Sequence, residues 1–345
     1  MQVAIIKIGA LGDVVRTTSI LPGLRRRFPD MSLTWISSTG GLDLVCRHPD
    51  VHQAVNIADP PDAQWRTASY DWLISLDDER ITCQLASAIH ATKISGAFMA
   101  SEGVRRYTPD TEPWFGMGLL RPPDQGGIDR ANQLKQSNTL SHGTIFYQML
   151  ALPGPVARPR VVLPEEDKQW ARGWFDASVL SDRAKVIGIN SGASGRWEFK
   201  KWGEDQTAAL AASAHDEMSA GVLLLGGESE LERNQRIAKL SNRPGILVAP
   251  HDLPLLKFSA LVARCNVLLT SDSLALHLGL AADVPVVAFF GPTSSAEIDV
   301  YGKGEKVVTP LGCRCCYLPT CNIRPHCMAS IGVERMYEAV KRWVV

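Results

Sequence analysis

"IIKIGALGDVVRTT", residues 5–18, begins with strand-like residues, passes through a glycine turn and ends in a helical pattern. The overlapping run VAIIKI, residues 3–8, is continuously apolar, as expected of a strand that is buried on both faces of a sheet. After the turn, Val14, Thr18 and Leu21 recur at helical spacing. A strand, a turn and a helix in this order predict the first unit of a parallel α/β sheet.

The same alternation of strand-like and helical segments continues along the chain. The strand-like segments, some of which run on into a turn and a helix, are residues 33–38, 71–76, 92–98, 184–192, 221–240, 265–282 and 284–293. A proline-rich stretch at 153–167 separates two such series and is typical of a linker. We therefore predict two doubly wound, Rossmann-like α/β domains that face each other across a cleft.

The expected N-terminal domain covers residues 1–160 and the expected C-terminal domain covers 161–330. Residues 331–345 have the pattern of a final helix, which we expect to pack toward the N-terminal domain. Ligands of such sheets bind outside the carboxyl ends of the strands. The loops that follow the strands are therefore the places to look for functional residues.

The composition indicates a globular protein without a strong charge bias. The chain has 345 residues, a hydrophobic content of 45% and a formal net charge of zero. Its basic residues are scattered, which argues against a nucleic-acid partner, and no apolar run reaches the ~18 residues of a membrane span. The first residues lack the pattern of a secretory signal, so we expect a cytoplasmic protein.

Two loops that follow predicted strands in the C-terminal half suit a nucleotide diphosphate. In NSGASG, residues 190–195, small residues let the backbone approach an anion, and Lys200 and Lys201 lie just beyond it. In LGGESE, residues 225–230, a Gly-Gly turn precedes Glu228 and Glu230. A carboxylate in that position can accept hydrogen bonds from a ribose diol.

A third loop, TSDSLALH at residues 270–277, carries Asp272 and Ser273 at the start of a helix and His277 one turn later. Because the three loops share one edge of the predicted sheet, together they predict a nucleotide-diphosphate site. Each residue also has a structural alternative. Asp272, Ser273 and Glu228 suit helix caps, His277 suits a partly buried helix position, and the paired lysines suit a solvated surface.

Asp13 follows the turn formed by Gly9 and Gly12, where a dinucleotide-binding site would need free backbone amides. A carboxylate repels phosphate, so this turn disfavours hydride-transfer chemistry. The same carboxylate suits the removal of a proton from a neutral hydroxyl, which is the work of a general base. The alternative is a helix N-cap.

Five of the eight cysteines lie in GCRCCYLPTCNIRPHCM, residues 312–328. In a cytosolic chain this pattern indicates free thiols or a metal rather than disulfides. The best tetrahedral set for a structural zinc or iron is Cys313, Cys316, Cys321 and Cys327. A loop of free thiols, and disulfides formed during purification, are the alternatives.

The motifs IIKIGALGDVVRTT, NSGASGRWEFKKW, LLGGESE and TSDSLALHLGLAADVPVVAFFGPT resemble, in that order, those of glycosyltransferase family 9, the ADP-heptose-dependent heptosyltransferases. The resemblance runs over essentially the whole chain. It implies the two-domain GT-B architecture, with the acceptor on the N-terminal domain and the nucleotide-sugar donor on the C-terminal domain. It also implies inversion of the anomeric configuration without a catalytic metal.

The resemblance implies a role for each matching residue. Asp13 would deprotonate the acceptor hydroxyl, and Lys200 would neutralise the departing diphosphate. Gly12 shares the acceptor-side turn with Asp13. The residues that would contact the donor are Ser191, Gly192, Ala193, Glu228, Asp272, Ser273 and His277. Some relatives carry cysteine-bound iron, which is consistent with a structural metal at the cysteine cluster.

The chain departs from the family pattern at Leu274, where a glycine usually follows the SDS triplet. The segment around Asn132, Lys135 and Asn138 also differs from the best-known inner-core enzymes, so these residues are candidates for an acceptor site, with a plain amphipathic helix as the alternative.

The expected function is transfer of a heptose from ADP-heptose to a glycan or glycolipid acceptor of lipopolysaccharide or a related surface glycan, peripherally at the inner face of the cytoplasmic membrane. The alternatives are a protein heptosyltransferase, a nucleotide-sugar epimerase or hydrolase of the same architecture, and a non-catalytic nucleotide-sugar-binding protein.

Overall fold

The computed structural model describes residues 1–193, 198–318 and 320–344. The chain divides into two compact units, Met1–Val162 and Leu163–Val345. Each unit contains one six-stranded sheet with helices on its faces. The predicted fold class, two Rossmann-like α/β domains, is therefore confirmed for each unit.

The N-terminal unit is built on a sheet with the strand order β3-β2-β1-β4-β5-β6. Its strands are β1 Gln2–Ile6, β2 Ser32–Ser37, β3 Gln53–Asn56, β4 Ser69–Ser75, β5 His90–Met99 and β6 Arg105–Tyr107. Neighbouring strands are parallel except β6, which is antiparallel to β5. The order reverses between β1 and β4, which makes the carboxyl ends of these two strands the switch point where ligands bind in such sheets.

Eight helices accompany this sheet in the described residues. They are α1 Leu11–Thr17, α2 Leu21–Arg27, α3 Thr39–Val45, α4 Gln64–Thr67, α5 Arg80–Ala88, α6 Glu112–Phe115, α7 Gly127–Ser137 and α8 His142–Met149. The apolar run of β1 is explained by its central position, since Val3 to Ile6 are fully buried.

The C-terminal unit repeats the architecture with the strand order β12-β11-β10-β7-β8-β9, all parallel. Its strands are β7 Val186–Asn190, β8 Gly221–Leu225, β9 Ile246–Val248, β10 Val267–Ser271, β11 Val286–Phe290 and β12 Gly304–Val308. Its helices are α9 Glu165–Asp176, α10 Glu204–Met218, α11 Leu231–Ser241, α12 Leu255–Val262, α13 Leu274–Ala281 and α14 Val333–Trp343. The order reverses between β7 and β10, which forms a second switch point.

Side chains of the central strands alternate between the two faces of this sheet. In β8, Val222 and Leu224 join one hydrophobic cluster, whereas Leu223 and Leu225 join the other. Both faces are therefore covered, which explains why the strand sequences are continuously apolar rather than alternating.

The last helix, α14, belongs to the cluster that includes β8 residues Val222 and Leu224. Its buried residues Met336 and Val340 lie in that cluster, and the Tyr337 hydroxyl donates to Glu217 at 2.9 Å. This apolar face is thus buried within the C-terminal unit, and a contact of α14 with the N-terminal domain stays a prediction. Among the described residues no helix is both long and apolar enough to cross a membrane.

Candidate active site

Asp13 is the third residue of α1, directly after the carboxyl end of β1. Ala10, not Asp13, occupies the N-cap position of this helix. The Asp13 carboxylate is flanked by two cations, with Arg16 Nε at 2.9 Å from Oδ1 and Lys7 Nζ at 4.0 Å from Oδ2. Its side chain remains 35% exposed. The Asp13 carboxylate, at the switch point of the N-terminal sheet, is thus oriented by neighbouring cations and still accessible to solvent.

Asp77, which the sequence analysis missed, lies beside this site after the carboxyl end of β4. It is 6% exposed and forms an ion pair with Lys7. It also accepts the backbone N–H groups of Ile8 and, at 3.3 Å, of Gly9. Burial raises the pKa of the Asp77 carboxyl, while the positive charge of Lys7 opposes that rise. Asp77 therefore ties the loop that leads to Asp13 to the neighbouring strand.

Arg16 is fixed from its other side by an aromatic ring. Its guanidinium carbon lies 5.0 Å from the centre of the Trp114 ring, and Trp114 packs edge-on against His142 and Phe146. A guanidinium over an indole face is a favourable cation–π contact. The segment around α6 thereby helps to orient the cation that holds Asp13.

In the C-terminal unit, Lys200 lies against Asp272 at the carboxyl end of β10. Lys200 Nζ is 3.0 Å from both the backbone oxygen and Oδ2 of Asp272, and His277 Nε2 is 4.0 Å from Oδ1. Lys201 instead pairs with Glu198 at 2.7 Å. The structure therefore brings Lys200, Asp272 and His277 into one cluster, from which Lys201 is directed away.

The predicted anion-binding turn after β7 is joined to the same cluster through Asn190. The Asn190 amide donates to the Gly192 oxygen at 2.9 Å and to Ser273 Oγ at 3.3 Å. Ser273 also contacts Thr270 Oγ1 at 3.0 Å, and no cap bond from its side chain to α13 is present. The loops after β7 and β10 are thus joined by a hydrogen bond from Asn190. Residues 194–197 of the predicted turn lie outside the described residues.

The other predicted donor residues line the first part of that turn or follow β8. Ser191 Oγ donates to Asn234 Oδ1 at 2.5 Å, and Ala193 is buried. Glu228 is exposed at the start of a 3₁₀ turn. Glu230, the second carboxylate of the same motif, is 7% exposed, and its Oε1 has no hydrogen-bond partner in the part of the chain that the structure describes. A Cβ at Gly192 would collide with the Glu230 side chain.

Tyr317, from the cysteine-rich segment after β12, is another residue that sequence reasoning missed. It is half-buried and contacts the loop after β11, where its hydroxyl donates to Glu297 Oε1 at 3.2 Å and accepts the Ser294 N–H at 3.2 Å. Burial and the negative charges of Glu297 and Asp272 raise the pKa of the Tyr317 hydroxyl well above its usual value. The cysteine-rich segment therefore reaches the surroundings of the Asp272 cluster through this side chain.

The candidate acceptor residues lie on two elements of the N-terminal unit. Gly12 is buried in α1. Asn132 and Lys135 lie on α7, where Lys135 is 4% exposed and the Asn132 Oδ1 is buried without a hydrogen-bond partner among the described residues. Asn138 follows the end of α7 and bonds to the backbone of Leu140. A plain amphipathic helix buries apolar side chains, so burial of Lys135 is not explained by that pattern alone.

The four cysteines predicted to bind a metal, Cys313, Cys316, Cys321 and Cys327, are free thiols. Within residues 1–193, 198–318 and 320–344, no group of three or more His, Cys, Asp or Glu side chains is arranged to hold a metal ion. Burial raises the pKa of the Cys327 thiol to about 11, and Cys316, Cys321 and Cys313 are close enough to contribute to this rise. The structure therefore groups the four cysteines without arranging their described side chains as a metal site, and a structural metal there stays a prediction.

The chain is similar in sequence to known proteins of one family. Residues 132–325 match the family model described as Glycosyltransferase family 9 (heptosyltransferase). The lipopolysaccharide heptosyltransferase 1 of Pseudomonas aeruginosa is 24% identical over 346 aligned positions, covering 94% of this chain and 88% of that protein. These matches identify a glycosyltransferase.

Solved structures agree on the fold. The family 9 glycosyltransferase from Veillonella parvula superposes with a TM-score of 0.71 at 19% identity, covering 99% of this chain and 97% of its own. The E. coli ADP-heptose lps heptosyltransferase II gives 0.69 at 19% identity, covering 100% and 98%. The fold is that of the GT-B heptosyltransferases, and the chain belongs to glycosyltransferase family 9.

Proposed function

We propose that this enzyme transfers a heptose from ADP-heptose to a saccharide acceptor of lipopolysaccharide or a related surface glycan, with inversion and without a catalytic metal. The family description and the heptosyltransferase relatives support the donor sugar. The adenosine diphosphate part is suggested by the name of the E. coli relative. Because such an acceptor is membrane-anchored, we propose that the enzyme works in the cytoplasm, peripherally at the membrane.

The acceptor is activated in the N-terminal unit. The Asp13 carboxylate accepts the proton of the acceptor hydroxyl as its oxygen attacks the anomeric carbon of the heptose. The Arg16 guanidinium stabilises the carboxylate charge and fixes its direction, whereas the Lys7 ammonium stays at the outer limit of an ion pair with it. Attack from the face opposite the leaving group forms the new glycosidic bond with inverted configuration.

The donor is bound in the C-terminal unit, and the leaving group is stabilised there. As the bond between the anomeric carbon and the phosphate oxygen breaks, the electron pair stays on ADP. The Lys200 ammonium, held by Asp272, neutralises this developing charge, and the small-residue turn at Ser191 and Gly192 allows the phosphates to approach the backbone. Asp272 and His277 contact the donor sugar and phosphates, and a carboxylate from the turn after β8 binds the ribose.

The observation that carries this proposal is the Lys200–Asp272 contact at the switch point of the C-terminal sheet. It positions a cation where a nucleotide diphosphate binds in this class of fold. The test is to incubate the protein with ADP-heptose and heptose-deficient lipopolysaccharide, in buffer with and without a chelator. We expect a heptosylated product of inverted anomeric configuration at equal rates in both buffers.

The same assay separates the alternatives. ADP release without a heptosylated product would indicate a hydrolase, and a changed sugar on intact nucleotide would indicate an epimerase. Heptose on a protein acceptor but not on the lipopolysaccharide would favour the protein heptosyltransferase. A rate that falls to zero with chelator would contradict the metal-independent part.

A further inference from the structure

We propose that Asp77 is a positioning residue for transfer, which holds the Lys7 ammonium away from Asp13 and anchors the loop in front of it. This inference rests on the proposed role of Asp13 as the base. It assigns a task to a buried carboxylate that does not touch substrate. The location of Asp77 at the N-terminal switch point, one strand away from Asp13, is the starting observation.

The first step is that Lys7 has two carboxylates within reach. Lys7 Nζ is in close contact with Asp77 Oδ1 but 4.0 Å from Asp13 Oδ2. Both members of the Lys7–Asp77 pair are more than nine-tenths buried, so their attraction is weakly screened. The ammonium is therefore drawn to Asp77 and remains at the outer limit of an ion pair with Asp13.

The second step concerns the backbone. Asp77 Oδ2 accepts the N–H groups of Ile8 and Gly9, the residues that connect β1 to the turn before α1. The Lys7 oxygen is held from the other side by Ser37 Oγ at 2.7 Å. The start of the Asp13 loop is thus fixed between β2 and the end of β4.

The other charged groups around this pair belong to the same network. Arg16 contacts Asp13 from α1, and Glu79, just before α5, is close enough for the Asp77 charge to raise its pKa after the larger effect of burial. Burial also raises the pKa of Asp77, and Lys7 counteracts this. Lys7 thus favours the charged form of Asp77 against the effect of burial, and in return the close contact with Asp77 determines where that ammonium lies.

A loss of the Asp77 charge has a defined consequence. In Asp77→Asn, the Lys7 ammonium loses its buried counter-charge. Of the two carboxylates that form an ion pair with Lys7, only Asp13 then remains. A carboxylate engaged directly by an ammonium is a weaker proton acceptor. We therefore expect kcat to fall about tenfold to hundredfold, with the KM for ADP-heptose unchanged because the donor binds the other unit.

The experiment measures kcat, donor KM and melting temperature for Asp77→Asn and for the charge-balanced variant Lys7→Met/Asp77→Asn. Removing the ammonium as well should restore kcat at least about threefold relative to Asp77→Asn, an interaction that independent sites would not give. The matched control is Asp71→Asn, since Asp71 accepts the Gln2 N–H at 2.7 Å at the opposite end of the same strand pair. Its kcat should stay within about twofold of the wild-type value.

Three outcomes overturn the inference. They are a kcat of Asp77→Asn close to that of the wild type, a donor KM that rises in parallel with the loss of kcat, and a double variant that is no faster than Asp77→Asn. If Asp77→Asn does not fold, the double variant decides, and a loss of more than about a hundredfold in its kcat overturns the inference. Failure of the proposed function is recognised separately, because Asp13→Asn would then retain activity whatever Asp77 does.

Discussion

Lys200 is held by Asp272 through two oxygen atoms, whereas its neighbour Lys201 pairs with the exposed Glu198. Only the first lysine therefore lies against Asp272 in the proposed donor site. We expect Lys200→Met to lower kcat roughly 10²–10³-fold, as for the loss of a group that stabilises developing charge, and to weaken ADP-heptose binding. Steady-state kinetics and calorimetric titration with ADP measure the two effects.

Lys201→Met is the matched control for this substitution. It removes an equal charge one residue away, from a pair that is worth little because Glu198 is exposed, so its kcat should lie within about twofold of the wild-type value. Equal losses in the two variants would contradict the assignment of Lys200 and indicate a general electrostatic effect.

His48, between α3 and β3, makes stability depend on pH. Burial lowers its pKa to about 4, with a smaller opposing effect of Asp50 and a further lowering by Arg160. In the unfolded chain the pKa of His48 is about 6.5, so between pH 4 and 6.5 the unfolded state binds more protons than the folded state. The contribution of neutral, buried His48 to the free energy of unfolding is therefore fully present above pH 6.5 and is lost as the pH drops toward 4. The expected loss between pH 7.5 and 4.5 is about 2–3 kcal/mol.

In His48→Gln this part of the pH dependence should disappear, as measured by urea unfolding at the two pH values. The control is His90→Gln at the exposed first residue of β5, which should keep the wild-type dependence. If His48→Gln and the wild type lose the same stability between these pH values, His48 is not the group responsible.

At the scale of elements, the turn after β7 depends on glycine because of the side chain behind it. A Cβ at Gly192 would overlap Glu230, which is buried and accepts the Gly227 N–H at 3.1 Å. Gly192→Ala should therefore lower stability by about 1–3 kcal/mol and raise the donor KM, since the turn must move. Chemical unfolding measures the change in stability, and steady-state kinetics at varied ADP-heptose concentration measure the donor KM.

Gly173→Ala provides the comparison. Gly173 lies in the exposed part of α9, and no described atom is within 4 Å of a Cβ there. This substitution should stabilise the protein by about 0.5–1 kcal/mol and leave the donor KM unchanged. A Gly192→Ala variant as stable and as active as Gly173→Ala would show that the turn is not closely packed.

The central strands could be predicted from the sequence and the edge strands could not. The runs that became β1, β7, β8, β10 and β11 are continuously apolar because both faces of the sheet are covered. The edge strands β3, β6, β9 and β12 are short or partly exposed, so they lack a distinctive pattern and were not predicted.

At the scale of the whole molecule, the candidate site could be predicted only in part. Asp13, Lys200 and Asp272 could be proposed because each follows a predicted strand in the sequence. Asp77 was missed because its meaning depends on strand order, and the adjacency of β4 to β1 is not visible in a linear pattern. Tyr317 was missed because its contact with Glu297 depends on tertiary packing and not on sequence spacing.

The two units share one architecture but differ in the ion pairs at their switch points. In the N-terminal unit a carboxylate is exposed between cations, and in the C-terminal unit a lysine is presented by a carboxylate. This difference is the basis for assigning proton removal to one unit and donor binding to the other. The separation predicts that a change in one unit alters one step and leaves the other intact.

The claim that proton removal and donor binding belong to different units is tested most directly in Asp13→Asn. Both kcat and the dissociation constant for ADP-heptose are measured in this variant. The account predicts that kcat falls roughly 10²–10⁴-fold, the usual contribution of a general base, while the donor dissociation constant stays within about twofold of the wild-type value. A variant that keeps near-wild-type turnover, or one that loses donor binding together with turnover, would contradict it.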